Sequence, residues 1–143
     1  MRKIMKSIFV MFSLIVLITC HRPGSINYRD GKFMGESRSI YTDESYYGIT
    51  TITIQNGVIS DVEFKVLDKA KNEIFDEKYE NHFKDIPEYI QQCRNDWQGV
   101  QMYPKRFLNV QDINKVDAIT GATWSYNLFR ASLEKAMEQS RRK

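Results

Sequence analysis

Apolar and polar residues alternate most regularly in the middle of the chain, in two runs on either side of Asn56-Gly57. The Asn-Gly pair tolerates the positive φ angles that a two-residue type I′ turn requires. β-branched residues dominate the first run, as is typical of a pleated strand. The pattern therefore predicts an antiparallel β-hairpin with one buried face. The apolar positions expected on that face are Ile52, Ile54, Val58, Val62, Phe64 and Val66.

A shorter strand is predicted ahead of the hairpin. Asp30-Gly31 favours a turn, and the strand that follows it is expected to continue to about Ile40. Residues 21–27 are rich in Pro, Gly, Ser and Asn, a composition that suits a short tether. We therefore expect the folded domain to begin near Tyr28.

The spacing of apolar residues changes to a helical period after the hairpin. Beyond a polar connector at residues 69–73, three aromatic residues recur every four positions, at Phe75, Tyr79 and Phe83. Residues four apart lie on the same side of an α-helix. This segment is accordingly predicted to form a helix with one aromatic face.

A second helix is predicted to start at Asp85 and Pro87, with Asp85 as the capping carboxylate and Pro87 in the first turn. It is expected to stop by Gly99, and residues 100–116 are interpreted as a loop with at most one short strand. The apolar stripe of this helix is Ile86, Ile90, Cys93 and Trp97.

The last segment predicts a helix that ends in a basic cluster at residues 140–143, at the negative end of the helix dipole. Together these elements indicate an α+β fold. A small antiparallel sheet with a β-hairpin packs against two or three helices. The apolar and small residues that define the last helix are Leu128, Phe129, Ser132, Leu133, Ala136 and Met137.

The N-terminus resembles a bacterial lipoprotein leader. A basic start precedes eleven residues, 8–18, that are apolar apart from one serine and too few to span a bilayer. The following Thr19-Cys20 resembles the end of a lipobox, which implies cleavage before Cys20 and a diacylglycerol on its thiol. We expect residues 1–19 to be the signal peptide, 20–27 a lipidated tether and 28–143 the domain. An uncleaved membrane anchor is the alternative.

A lipoprotein leader implies that the domain lies at the extracytoplasmic face of the cell membrane, periplasmic or cell-surface. It also accounts for the charge of the chain. The net charge of +3 comes from three cations in the leader, because residues 20–143 hold 18 basic and 18 acidic side chains. A neutral domain argues against nucleic-acid binding. If Cys20 is acylated, no disulfide can form with Cys93. His82 lies eleven residues from Cys93, so Cys93 is interpreted as a buried structural residue and no metal site is predicted.

The segment ahead of the last helix carries the candidate chemistry. Its residues from Asp117 to Ser125 form a small, hydroxyl-rich turn, and the N-terminus of a helix favours an anion such as phosphate. Taken alone, the same residues would also suit an ordinary helix cap at Thr123 or Ser125.

Asp117 to Thr123 resembles the flavinylation motif of the FMN-binding domain family, which is Asp, two variable residues, Ser or Thr, then Gly-Ala-Thr. The segment from Asp30 to Gly35 and the hairpin are also similar to that family, which includes a covalent-FMN component of the sodium-translocating NADH:quinone oxidoreductase and small lipid-anchored members. The resemblance implies that a flavin transferase, using FAD and magnesium, attaches FMN to Thr123 by a phosphoester and releases AMP. The predicted cofactor-binding set is Asp117, Thr120, Gly121, Ala122, Thr123, Trp124 and Ser125.

The resemblance implies an electron carrier that exchanges electrons with a redox partner protein or a quinone-linked complex. Trp124, Tyr126 and Tyr103 are candidates to pack against the flavin ring. A flavin-dependent reductase with its own small substrate is an alternative, although no His or carboxylate constellation for a substrate site is evident. A structural or binding lipoprotein without flavin is the other.

Overall fold

In the computed structural model of the protein, residues 27–39 and 43–142 are described, and this part of the chain forms a four-stranded antiparallel sheet and two long helices. The leader, Cys20, most of the tether and Ile40 lie outside the described residues. The arrangement confirms an α+β fold with a C-terminal helix. In sheet order the strands are β1 Gly31–Glu36, β2 Tyr46–Gln55, β3 Val58–Asp68 and β4 Glu73–Ile74; the helices are α1 Pro87–Val110 and α2 Thr123–Ser140.

The β2–β3 hairpin confirms the prediction made from the Asn-Gly pair. Asn56 and Gly57 have φ angles of 54° and 73°, as a type I′ turn requires. Asp30 stabilises this turn from outside the hairpin, because its carboxylate accepts hydrogen bonds from the backbone N–H groups of Asn56 at 3.0 Å and Gly57 at 2.8 Å. Asp30, which the sequence predicts in a turn before β1, thus also stabilises the turn between β2 and β3.

The predicted buried face of the hairpin is wrong at one position, Val58. This residue is 56% exposed, whereas its neighbour Ile59 is buried. Ile54 pairs with Ile59 and Thr53 with Asp61, so β3 contains one extra residue between the two pairs. This β-bulge shifts the alternation by one residue, and Val58 therefore faces solvent.

Strand β1 is shorter than predicted and ends at Glu36. The backbone N–H of Gly48 on the neighbouring strand donates to the Ser37 hydroxyl at 2.8 Å instead of to a strand carbonyl. The chain then turns into a short 3₁₀ helix, Ser37–Ser39. The Ser37 side chain thus takes the hydrogen bond that a backbone carbonyl would accept in the sheet, and β1 ends one residue before it.

The aromatic segment after the hairpin does not form the predicted α-helix. The backbone N–H of Phe75 donates to the Val66 carbonyl at 2.9 Å, which keeps the chain extended next to β4. A 3₁₀ helix follows at Tyr79–Phe83. The rings nevertheless pack together, with centroids 4.9 Å apart for Phe75 and Tyr79 and 6.3 Å apart for Tyr79 and Phe83.

Helix α1 begins where predicted but is capped and ended differently. Its N-cap is Ile86, without a side-chain cap, so the capping role expected of Asp85 is wrong. The helix continues through Gly99 and Pro104 to Val110, which also overturns the loop predicted at residues 100–116. Gly99 serves packing rather than termination, because a Cβ there would lie 2.6 Å from Ser125 Oγ on α2. As predicted, Cys93 is buried.

The two ends of the domain meet at the C-terminal end of α2. Tyr28 forms a β-bridge with Arg141, and the Arg29 N–H donates to the Ser140 carbonyl at 2.8 Å. Arg141 and Arg142 of the predicted basic cluster thus follow directly after the last helical residue, and Lys143 lies outside the described residues. Within residues 27–39 and 43–142, neither helix is long and apolar enough to cross a membrane.

Candidate functional site

The segment Ile119–Ala122 forms a tight turn immediately before α2. The Ala122 N–H donates to the Ile119 carbonyl at 2.9 Å, and Gly121 has a φ of 79°. A Cβ on Gly121 would also lie 2.6 Å from Asn95 Nδ2 on α1. The backbone conformation therefore favours glycine here, and a Cβ would in addition displace the end of the Asn95 side chain.

Tyr103 supports this turn from below. Its hydroxyl accepts a hydrogen bond from the Ile119 N–H at 3.0 Å and donates one to the Ala122 carbonyl at 2.8 Å. The side chain is completely buried, and this burial raises the pKa of the phenol. The sequence makes Tyr103 a candidate to pack against the flavin ring, but the structure places it in the core beneath the turn.

Replacing Tyr103 with phenylalanine is expected to destabilise the protein by about 1–3 kcal/mol, because the ring packing survives while the Ile119 N–H and the Ala122 carbonyl lose their partner. Urea denaturation of the variant and the wild type measures the difference. Tyr89→Phe is the matched control, since Tyr89 is exposed and the same atom is removed. Equal unfolding free energies for the two variants would contradict a supporting role for the Tyr103 hydroxyl.

Helix α2 is capped by a side chain from α1 and not by its own sequence. Its N-cap is Ala122, with no side-chain cap from that residue, so the interpretation of Thr123 or Ser125 as N-cap is wrong. Instead, Asp96 Oδ1 accepts hydrogen bonds from the Ser125 N–H at 3.2 Å and the Ser125 hydroxyl at 2.9 Å. The carboxylate thus occupies part of the helix terminus that the sequence suggested for an anionic ligand.

Gln92 connects the same carboxylate to the turn. Its Nε2 lies 2.5 Å from Asp96 Oδ2 and 2.9 Å from the Gly121 carbonyl oxygen, and it donates to both. Gln92, Asp96 and Tyr103 all lie on α1. One helix therefore fixes the position of the whole turn, which explains why α1 continues past Gly99.

The predicted site residues fall into two groups. Thr120, Gly121 and Thr123 are exposed on the turn and in the first turn of α2, and Asp117 is exposed at the start of the segment. Ala122 and Ser125 are fully buried, and Trp124 is partly buried. The structure thus leaves the threonine residues accessible, while the Ser125 hydroxyl is used in holding α1 and α2 together.

An aromatic groove of about 430 Å³ lies beside the turn. Trp124, the residue after Thr123, forms part of its wall and contacts the rings of Tyr46 and Phe75 edge-on, each at a centroid distance of 5.4 Å. Apart from Trp124, none of the groove residues is predicted from the sequence to belong to the site, although the repeat of aromatic residues after the hairpin is a visible signal. The groove is lined by Tyr46, Phe75, Tyr79, Phe83, Tyr89, Gln92, Cys93, Asp96 and Trp124.

A buried ionic network supports the groove from the sheet side. Asp68 accepts hydrogen bonds from the Tyr79 hydroxyl at 2.5 Å and Lys71 Nζ at 3.0 Å, and the hydroxyls of Tyr79 and Tyr46 lie 2.9 Å apart. Burial alone would raise the pKa of Asp68, but the hydrogen bonds from Tyr79, Lys71 and the backbone N–H of Ala70 lower it to about 2. Two groove residues are thereby held by a paired, ionised carboxylate.

The turn and the groove together fit the parts of a flavin nucleotide. A groove lined mostly by aromatic rings suits a flat tricyclic ring, and its volume lies in the range of about 300–1,000 Å³ that is usual for ligand pockets. Exposed hydroxyls next to it suit a phosphate-bearing chain. No group of three His, Cys, Asp or Glu side chains that could hold a metal occurs in the part of the chain that the structure describes.

The fold and the site define an α+β domain with a cofactor-sized aromatic groove next to a Gly-Ala-Thr turn. The FMN-binding domain family matches residues 46–138, well over half of the chain, and the protein belongs to this family. The chain is also similar in fold to the crystal structure of the CPE2226 protein from Clostridium perfringens, with 22% identity and a TM-score of 0.55 over 79% of this chain and 88% of that one. A search of the curated proteins found no significant match.

Proposed function

We propose that the protein is a membrane-anchored, extracytoplasmic electron carrier that holds FMN through a phosphoester on Thr123. The observation that carries the proposal is the exposed position of Thr123, directly before the groove residue Trp124, in a chain of the FMN-binding domain family. Thr120 precedes Thr123 by three residues and is therefore further in sequence from the groove residue Trp124.

The attachment proposed for Thr123 follows the chemistry implied by the flavinylation motif. Thr123 Oγ forms a bond to the phosphorus on the FMN side of the FAD pyrophosphate, and the bond from that phosphorus to the bridging oxygen breaks. AMP leaves with that oxygen, and the hydroxyl proton is released. A flavin transferase supplies the FAD and magnesium sites, which explains why this chain needs only an accessible acceptor.

The groove is proposed to hold the ring of the flavin. Bound FMN supplies the redox chemistry, because its ring accepts electrons in pairs and passes them on singly. Trp124, Tyr46 and Phe75 contribute apolar surface that excludes water, and Gln92 contributes a polar group at the groove edge. These residues position the ring and set its environment.

The groove favours a carrier over an enzyme with its own substrate. Burial and the nearby Asp96 charge raise the pKa of Cys93, which keeps the thiol protonated and unreactive. The Asp96 carboxylate already accepts three hydrogen bonds. Neither group is poised as an acid, a base or a nucleophile, so we infer that a redox partner protein or a quinone-linked complex exchanges electrons with this domain.

Membrane attachment is proposed through a lipid on Cys20. A basic start, a short apolar run and a cysteine directly after it support export and lipidation. The tether of residues 20–27 would then join the lipid to the first residue of the domain.

Intact mass of the full chain, co-expressed with a flavin transferase, tests the covalent bond. We expect a mass gain of one FMN less one water and a band that fluoresces on a denaturing gel, and the same spectrum reports a lipid on Cys20. A wild-type protein without that gain and without fluorescence would overturn covalent attachment. Reduction by a partner without turnover of a small substrate would support a carrier.

A further inference from the structure

Asp96 is a buried carboxylate that the proposed attachment does not use. It is 3% exposed and contributes to the wall of the aromatic groove. Its two oxygens accept hydrogen bonds from the Ser125 N–H, the Ser125 hydroxyl and Gln92 Nε2. All three partners are donors, and none of them carries a positive charge.

The charge of Asp96 lacks the cationic partner that the neighbouring carboxylates have. Lys71 pairs with Asp68 at 3.0 Å, and Arg94 pairs with Glu80 at 2.6 Å. No Lys, Arg or His forms an ion pair with Asp96 among residues 27–39 and 43–142. The dipole of α2 offsets the equivalent of about half a unit charge at most, so a net negative charge remains at the groove wall.

Cys93 and Asp96 both contribute to the wall of the groove, and the charge of Asp96 acts on the Cys93 thiol. Burial contributes most to the raised pKa of its thiol, and the charge of Asp96 contributes next. Both effects oppose the appearance of negative charge at a groove atom. A charge in a poorly hydrated site acts more strongly than the same charge in water.

We propose that Asp96 lowers the reduction potential of the flavin that the groove holds, in addition to capping α2. The inference rests on the proposed function. Electrons added to a flavin ring leave negative charge on it when protons do not follow, and a fixed carboxylate in the groove wall disfavours that charge. The protein would therefore be a stronger reductant than the aromatic lining alone would make it.

The test is the midpoint potential of the FMN-loaded, full-length Asp96→Asn variant, measured by spectroelectrochemistry. The Asn carbonyl can still accept the two hydrogen bonds from Ser125, but its Nδ2 takes the place of the oxygen that accepts from Gln92, so the Gln92 amide has to turn its own oxygen toward it. The variant thus removes the charge and keeps the size of the side chain. We expect its midpoint potential to be more positive than that of the wild type. Asp61→Asn is the matched control, because Asp61 is exposed and pairs with Thr53, seven residues along β2 from the groove residue Tyr46.

A second variant keeps the test decisive if Asp96→Asn does not fold. Gln92 is exposed, and Gln92→Lys would place a cation beside Asp96 while still donating to it. A lysine also acts through its own charge, so Gln91→Lys, at an exposed position of the same helix that does not line the groove, is its control. Gln92→Lys should shift the midpoint potential to more positive values than Gln91→Lys does. An unchanged potential in the folded, FMN-loaded variants, or an equal shift in Asp61→Asn, would overturn the role of Asp96. A wild-type chain that gains no FMN would instead overturn the proposed function.

Discussion

Thr123→Ala is expected to abolish covalent FMN completely. The substitution removes the only hydroxyl-bearing residue that is exposed in the first turn of α2, and alanine fits there because the position faces solvent. Alanine also favours the helix, so the fold should be unaffected. Co-expression with a flavin transferase, followed by intact mass and in-gel fluorescence, should show full labelling of the wild type and none of the variant.

Thr120→Ala is the matched control for that experiment. Thr120 is also an exposed threonine, and it lies in the same turn three residues earlier. This variant should keep the covalent flavin. Fluorescence that persists in Thr123→Ala and disappears in Thr120→Ala would move the acceptor to Thr120, contrary to the proposal.

Among the glycines of the sheet and its hairpin turn, Gly35 is expected to be the one at which alanine is most destabilising. A Cβ at this position would lie 2.2 Å from the Ser132 carbonyl oxygen and 2.3 Å from the Ala136 nitrogen. Both are backbone atoms of α2, so the contact can be relieved only by moving the strand and the helix apart. We expect a loss of about 3 kcal/mol or more, at the upper end of overpacking effects and a large part of the stability of a small domain.

Gly57→Ala separates this steric effect from the loss of glycine itself. Gly57 has a φ of 73°, and no atom outside its own turn lies within 4 Å of the place that a Cβ would take. Its replacement should cost only about 1 kcal/mol, from backbone strain. Urea denaturation measures both variants, and similar unfolding free energies would contradict the close packing of β1 on α2.

Local patterns are sufficient to predict the hairpin and α2. The Asn56-Gly57 pair sets its own backbone angles, and the spacing of apolar residues in α2 follows from burial of one face. The prediction that α1 stops by Gly99 is wrong because packing between helices outweighs the local pattern there. Gly99 and Pro104 are helix breakers by local propensity, but close packing against α2 determines where the helix needs a glycine.

The candidate site is predictable from sequence only in its contiguous part. The exposed turn with Thr123 can be found from the motif, whereas the groove brings together residues from β2, the 3₁₀ helix at Tyr79–Phe83, α1 and α2. The cap of α2 joins Asp96 to Ser125, which are 29 residues apart. No local pattern specifies such a pairing, because it depends on how the two helices pack.

Helix α2 places the ends of the domain far from the groove. Its 18 residues span about 27 Å at about 1.5 Å per residue, with Thr123 at one end and the Tyr28–Arg141 bridge at the other. A segment joined directly before Tyr28 or directly after Arg142 would therefore start next to the other end of the described domain and leave the groove open. The fold therefore allows the domain to be joined to another segment at either of these two ends while the groove stays accessible.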